Sequence, residues 1–252
     1  ATVAGGVAGA DFFKLGGFTG GGFVGGVRQS LKVDGDAQDI DAAGVVFGLY
    51  GSRKVGAVTV DLSLIGGVSD FDSRRRVRAP GGVVEAEADF VGGFIAPEAS
   101  FSTEFALNER VTLRPVATIG YAGLFFSGFD ESGSPDDLSV DGRTAHIVRG
   151  RAELQADIVA RRGANGGVLT LTPRIGLDGF AAFGGDVDAT LVGTPIALDG
   201  SQGAGRATGF AGVRAEYRAP GGMRLFADME GGFNSDGGRR LGGRIGIRIP
   251  LN

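Results

Sequence analysis

The 252-residue sequence contains no cysteine and no tryptophan, and it has a single histidine. Without cysteine there are no disulfides, no thiolate metal ligands and no cysteine nucleophile. A Ser-His-Asp triad or a histidine-based metal site would rest on His146 alone. That residue falls on an apolar phase near the outer end of an expected strand, which is the place of an interfacial histidine, so no catalytic residue, metal or cofactor is expected. No stretch approaches the ~18 consecutive apolar residues that a membrane-spanning helix needs. No leader with a basic start and an apolar middle opens the chain, and no polar, Pro/Ser-rich linker divides it, so residues 1–252 read as one unit. Eight prolines without a three-residue period exclude collagen. A balance of 25 basic against 29 acidic residues gives a net charge of −4 and no global attraction for DNA or RNA.

What the chain has is glycine, 49 residues of it, together with 42% hydrophobic residues, too many for a disordered chain. It also has alternation. From Leu169 to Phe183 one face carries Leu169, Leu171, Ile175, Leu177 and Phe183 while the other carries Thr170, Thr172, Arg174 and Asp178. This is the period-two signature of a strand with one apolar and one polar face. The same pattern recurs at 58–64, 111–121, 144–160, 206–218, 223–234 and 244–249. From 84 to 107 the apolar phase runs through even positions as far as Phe90 and odd ones from Ile95, which predicts a bulge at Gly92–Gly93. Residues 12–28 are so glycine-rich that they show no phase.

Short breaks near 52–54, 108–110, 162–166 and 219–222 alternate with longer ones near 70–82, 130–141 and 184–205; the break near 235–238 is brief. In an antiparallel meander this describes one trimmed end and one elaborated end. A soluble β-sandwich also alternates, with its apolar side inward. Three features favour the opposite orientation. The strands match or exceed the ~9–11 residues that cross a bilayer at a tilt. Their apolar faces are rich in Gly and Ala, which fill a protein core poorly. Their polar faces carry charges of both signs, as a wet lumen does. Phe125, Phe126, Phe129, Phe183, Tyr217 and Phe233 lie near strand ends, where interfacial aromatic girdles sit. A sheet facing lipid leaves no open edge and must close, so the fold class expected is all-β, an antiparallel transmembrane β-barrel.

The stretch Phe94 to Val140, with Pro115, Tyr121–Ala122 and a Glu-Ser-Gly turn within Phe129–Gly133, resembles the C-terminal translocator barrel of autotransporters, the type V secretion proteins of Gram-negative bacteria. Gly9 to Gly26 resembles that family's glycine-rich second and third strands, and the similarity extends over nearly the whole chain. The resemblance implies an autotransporter-type barrel of twelve strands with a lumen helix. About ten or eleven strands are readable here, eleven if residues 2–10 hold a short one, so the first strand and any lumen helix are expected upstream of Ala1. The chain ends Ile249-Pro250-Leu251-Asn252, and Leu251 stands near the place of the terminal aromatic that the outer-membrane assembly machinery reads.

The function implied is that of an outer-membrane anchor and translocator for an upstream passenger, with no enzymatic activity; the alternative is a stand-alone outer-membrane pore or structural protein. A soluble β-protein that binds ligands between two sheets is a third class. The expected partners are outer-membrane lipid and lipopolysaccharide, the assembly machinery, and the passenger or lumen helix; no nucleic acid is among them. Candidate lumen-lining residues are Arg114, Glu104, Arg149, Arg151, Glu153, Asp157, Arg174, Asp178, Arg214, Glu216, Arg224, Asp228, Glu230, Arg244 and Arg248, which brace the wall by cross-strand pairing or contact a translocating or plugging peptide. Arg74, Arg75, Arg76 and Arg78 form a basic run in the expected loop at 70–82, solvated or set against lipopolysaccharide phosphates. Asp130, Glu131, Asp136 and Asp137 form an acidic counterpart without the spacing of a calcium loop. Glycine spacing at Gly20 to Gly26 lacks the Lys-Ser/Thr tail of a phosphate loop and suits close strand packing.

Overall fold

A computed structural model describes residues 2–33, 37–164, 166–198 and 204–249. In chain order the strands are β1 (Thr2–Leu15), β2 (Phe18–Val33), β3 (Gln38–Val55), β4 (Val58–Ala79), β5 (Gly82–Thr103), the two-residue β6 (Phe105–Ala106), β7 (Val111–Phe126), the short β8 (Phe129–Asp130) and β9 (Leu138–Val140), β10 (Arg143–Arg162), β11 (Val168–Gly184), the short β12 (Val187–Leu191) and β13 (Thr194–Leu198), β14 (Ala204–Arg218), β15 (Arg224–Asn234) and β16 (Arg239–Arg248). One antiparallel meander, β1-β2-β3-β4-β5-β7-β10-β11-β14-β15-β16, makes the wall, with β6 against β7. The glycine-rich opening that showed no phase is thus the end of β1 and most of β2 joined by a turn at Gly16–Gly17, and β1 itself runs 14 residues.

Glycine at the start of the wall has a steric cause. Added at Gly9, a Cβ would lie 2.6 Å from the Gly22 carbonyl oxygen on β2, so β1 and β2 approach each other only because that Cβ is missing. A bulge between Asp11 and Phe13 then turns Phe12 and Phe13 to the same face.

Side chains sort by face as the alternation requires. The outward face carries Val45, Phe47, Leu49, Leu62, Ile119, Leu154, Ile175, Leu177, Met229, Leu241, Ile245 and Ile247, all exposed, up to 86% for Ile245. Water would drive so broad an apolar surface into aggregation, whereas hydrocarbon solvates it. Few large side chains are buried anywhere, and none completely among the described residues. The dry interior of a sandwich is absent.

The expected bulge at Gly92–Gly93 is not there. β4 and β5 pair without a register shift from Val58 opposite Thr103 to Ala79 opposite Gly82, so the phase switch in the sequence is real and the backbone does not correct it. Its cause is a change of solvent. At 22 residues each, β4 and β5 run about 70 Å at the usual strand rise, far beyond the ~25–30 Å apolar band. Below Val68 and Gly93 the apolar side chains face out. Above them Asp70, Asp72, Arg74, Asp89 and Glu87 take the outward rows, while Phe71, Val77, Ala86, Ala88 and Phe90 turn inward. The segment expected as a long loop at 70–82 is therefore strand, except for the turn at Pro80–Gly81, and the inversion marks the end of the apolar band.

Inward of this projecting hairpin lies a small core outside the membrane. Phe71 and Phe90 stack at 4.9 Å between centroids, Phe90 and Phe129 likewise at 4.9 Å, and Phe126 meets Phe71 edge-on. Ala86, Ala88, Val77 and Val140 are buried beside them. The loops after β7 and β11 supply a second sheet, β13-β12-β9-β8. It is tied to the free upper edge of β5 by paired backbone hydrogen bonds between Glu87 and Ser132, both 2.9 Å.

Candidate functional site: the charged lumen face

The wall's concave face gathers the most extensive set of interacting charges among the described residues. Of the predicted lumen residues, all but Glu104 occupy the inward rows of β7, β10, β11, β14, β15 and β16. Glu104 sits in the break between β5 and β6, 3.6 Å from Arg114. Seven of the rest, Arg151, Glu153, Arg174, Asp178, Asp228, Glu230 and Arg244, are gathered into one network, while Arg114 with Asp157 and Arg214 with Glu216 and Arg224 form smaller groups. Arg174 donates to Asp228 through both terminal nitrogens, at 3.1 and 2.7 Å, and to Glu230 at 3.1 Å. Arg151 donates to Glu153 at 2.6 Å and to Glu230 at 2.8 Å. Arg240 bonds Asp178 and, at 3.0 Å, Glu230. Arg114 bonds Asp157, which also accepts from the Thr172 hydroxyl at 2.7 Å.

Several of these contacts join strands that are not neighbours. Arg151 on β10 reaches Glu230 on β15 across β11 and β14, and Arg240 on β16 reaches Asp178 on β11. Such chords exist only because the wall curves strongly, and they hold that curvature. Beneath them Phe210, 3% exposed, carries the Arg151 guanidinium 3.8 Å from its ring centroid and that of Arg240 at 5.9 Å, a cation–π support under the ionic layer. Arg240 and Phe210 were not among the sequence candidates. Gly242–Gly243 interrupts the alternation next to Arg240, and Phe210 is an aromatic on a polar phase, the one signal that could have marked it. A hollow of about 510 Å³ opens among Arg149, Gln155, Arg214 and Arg244.

The rim of the apolar band carries the expected aromatics, with two exceptions. Phe125, Phe183, Phe233 and Tyr217 lie in outward rows. Phe126 and Phe129 instead point inward into the small outer core, because each lies above the leaflet edge where the apolar face has reversed. An outward apolar face, an inward ionic face and outward aromatics towards the strand ends describe a membrane-spanning β wall.

The family model described as "Autotransporter beta-domain" matches residues 1–230. The chain belongs to the autotransporter β-domain family. Among solved structures it is similar to the translocator domain of the autotransporter NalP from Neisseria meningitidis, with a TM-score of 0.68, 15% identity, and coverage of 97% of this chain and 79% of that one. It is also similar to the β-domain of the Bordetella autotransporter BrkA, with a TM-score of 0.58, 19% identity, and coverage of 97% and 87%. Those likenesses concern the barrel fold. A search of curated proteins found no match. As an autotransporter β-domain the chain is an outer-membrane anchor and translocator of a Gram-negative bacterium, linked to a passenger domain.

The remaining candidates in this β-domain resolve into structural roles. His146 faces outward, its Nδ1 2.6 Å from the Tyr121 hydroxyl and its ring stacked on Phe183 at 5.0 Å; it is part of the outer girdle. The basic run lies in β4, not in a loop. Arg74, Arg76 and Arg78 take the outward rows, whereas Arg75 turns inward and forms a two-pronged pair with Glu131 at 3.0 and 2.5 Å. The acidic residues do not converge. Glu131 is occupied by Arg75 and the Leu138 amide, Asp130 accepts from the Ser139 hydroxyl, and Asp137 accepts from the Ser134 amide. Gly20 to Gly26 lies in the first half of β2, and Gly21 lies under the Tyr50 ring. The terminal Pro250, Leu251 and Asn252 lie outside the described residues.

Proposed function

We propose that a twelfth strand from another part of the protein closes this wall, and that the hydrated interior so enclosed accepts passenger polypeptide during export. The carrying observation is the state of the two edges. β1 and β16 are each paired on one side only among the described residues, and as first and eleventh strands of a meander they run in the same direction. An antiparallel wall cannot close between two parallel edges; one added strand of opposite direction satisfies both. Lipid tolerates no open edge, which supports the closing strand independently.

Within that wall the charged rows brace the curvature and offer a wet surface of both signs to an extended or helical segment. The role asks no catalytic group of the wall. Outside, the apolar band meets lipid, and Arg74 and Arg78 on the outward face above the leaflet edge suit lipopolysaccharide phosphates. The open edges of β1 and β16 are the surfaces that the assembly machinery would engage before closure.

The test is a photo-crosslinking residue at Gln155, mid-lumen, in cells exporting the passenger. Crosslinks from Gln155 to passenger sequence, absent from an outward position such as Ile175, are expected. Normal export with passenger captured at neither position would overturn the reading.

A further inference from the structure

The inward rows are not balanced in sign along the wall. At the end with the short turns, the periplasmic end in outer-membrane barrels, Arg218 lies directly opposite Arg224, and Arg224 directly opposite Arg248. Three neighbouring strands thus present one row of three guanidinium groups to the interior. Directly opposed like charges destabilise a sheet, and among the described residues the one carboxylate within ion-pair distance of these three is Glu216, 3.7 Å from Arg224. The row continues in both directions. Arg162 is inward at the end of β10, opposite Val168, itself opposite Arg218. Lys14 and Lys54 hold the corresponding inward places on β1 and β3, opposite Thr19 and Thr59. Of the inward carboxylates near this end, Asp11, Asp61, Asp157 and Glu216 lie further up the wall, while Glu104, in the break after β5, lies at this level and is 3.6 Å from Arg114. The chain as a whole is net negative at −4, so a cationic rim does not follow from composition.

We propose that Lys14, Lys54, Arg162, Arg218, Arg224 and Arg248 form an anion-attracting inner rim whose occupant is a carboxylate-bearing stretch of polypeptide. A band dominated by one sign at the end of an enclosed passage concentrates counter-charge, as arginine and lysine rings do in anion-conducting pores. Guanidinium groups in adjacent strands bind carboxylates in pairs, with geometry as well as charge. The site therefore favours a polypeptide with several Glu or Asp residues over dispersed small anions. This inference rests on the lumen being a polypeptide passage and adds the chemistry of what enters it.

The test uses the full-length protein in detergent micelles and two fluorescein-labelled peptides of equal length, one alternating Glu-Gly and one alternating Lys-Gly. The acidic peptide should bind, with affinity falling as salt rises, and the basic one should not. Arg218→Gln, Arg224→Gln and Arg248→Gln combined should weaken acidic-peptide binding about tenfold, three exposed charge contacts of a few tenths of a kcal/mol each. The variant's fold is checked by its heat-modifiable gel mobility and is expected to be intact, since the substitutions relieve repulsion. Competition by glutamate or chloride at equal charge concentration should be far weaker than by the unlabelled peptide. Equal binding of both peptides, no binding, or an unchanged affinity in the folded triple variant would overturn the rim. Crosslinking at Gln155 reads the passage itself. Crosslinks without acidic preference sink only the rim, while acidic preference without crosslinks sinks the passage and leaves the rim as an anion site.

Discussion

Glu131→Ala removes the acid that locks the outer loop sheet to the wall. The Glu131 side chain is only 3% exposed, and its partner Arg75 26%. The substitution strands a largely covered guanidinium and the Leu138 amide, which donates to Glu131 at 3.0 Å; Arg75 keeps one bond, to the Asp136 carbonyl at 2.8 Å. Breaking a buried ion pair by removing one partner costs about 3–5 kcal/mol. Arg75 can still turn to water, so about 2–3 kcal/mol is the reasonable figure. The loss is local, because the pair joins the loop to the upper hairpin and not one lipid-facing strand to the next. Local opening of residues 127–141 should therefore become roughly 30–140-fold more frequent, since each 1.4 kcal/mol is a factor of ten. Amide hydrogen exchange followed by mass spectrometry on peptides from that segment reads this directly, with the β10 to β16 peptides as unchanged internal controls.

The pair also has a defined pH behaviour. Hydrogen bonding to Glu131 raises the Arg75 guanidinium above its ordinary value, against a smaller opposing effect of burial. A raised folded-state pKa gives a stabilisation present in full below the unfolded value and lost only above it. The difference between wild type and Glu131→Ala should accordingly be the same at pH 7 and pH 9. Exchange in 127–141 that is unaltered by the substitution, or accelerated equally across the wall, would refute the assignment of the pair as the loop's fastening.

Further expectations concern single positions. Phe210→Ala removes the ring under Arg151 and Arg240 and should lower resistance to urea by about 3 kcal/mol, read as a shift in the unfolding midpoint in lipid vesicles. Gly9→Ala places a Cβ against the Gly22 carbonyl oxygen and should destabilise the β1–β2 pairing by about 1–3 kcal/mol, seen as heat-modifiable gel mobility lost at a lower temperature. Val192, at φ 48° in the tip between β12 and β13, is a β-branched residue in a left-handed conformation. Val192→Asn should stabilise that hairpin by about 1 kcal/mol and slow its proteolysis.

Much of this arrangement was legible because lipid and water enforce a period of two. Leu171, Ile175, Leu225 and Ile247 sorted to one face and Arg174, Asp178, Asp228 and Arg244 to the other before any coordinates. The pattern could not say that the bilayer ends partway along β4 and β5. There the phase reversal at Val91–Ile95 is a change of solvent, yet in sequence it is indistinguishable from a bulge. Phe126 and Phe129 were assigned to the girdle for the same reason. The chords from Arg151 to Glu230 and from Arg240 to Asp178 depend on curvature, a property of the whole wall that no local spacing encodes. Arg75 and Glu131 were each visible as part of a charge run; their meeting across 56 residues was not.

The orientation of the wall is most directly measured by single-cysteine spin labels, which the cysteine-free sequence admits without background. In the full-length protein reconstituted in lipid, labels at Leu49→Cys, Ile175→Cys and Ile245→Cys should relax strongly with oxygen and weakly with a water-soluble nickel chelate. Labels at Gln155→Cys and Asp72→Cys should show the reverse, although Asp72 shares the outward face with Leu49's row and Gln155 does not. Labels at 175 and 245 shielded from both reagents, as in a dry protein interior, would contradict an apolar face turned to lipid.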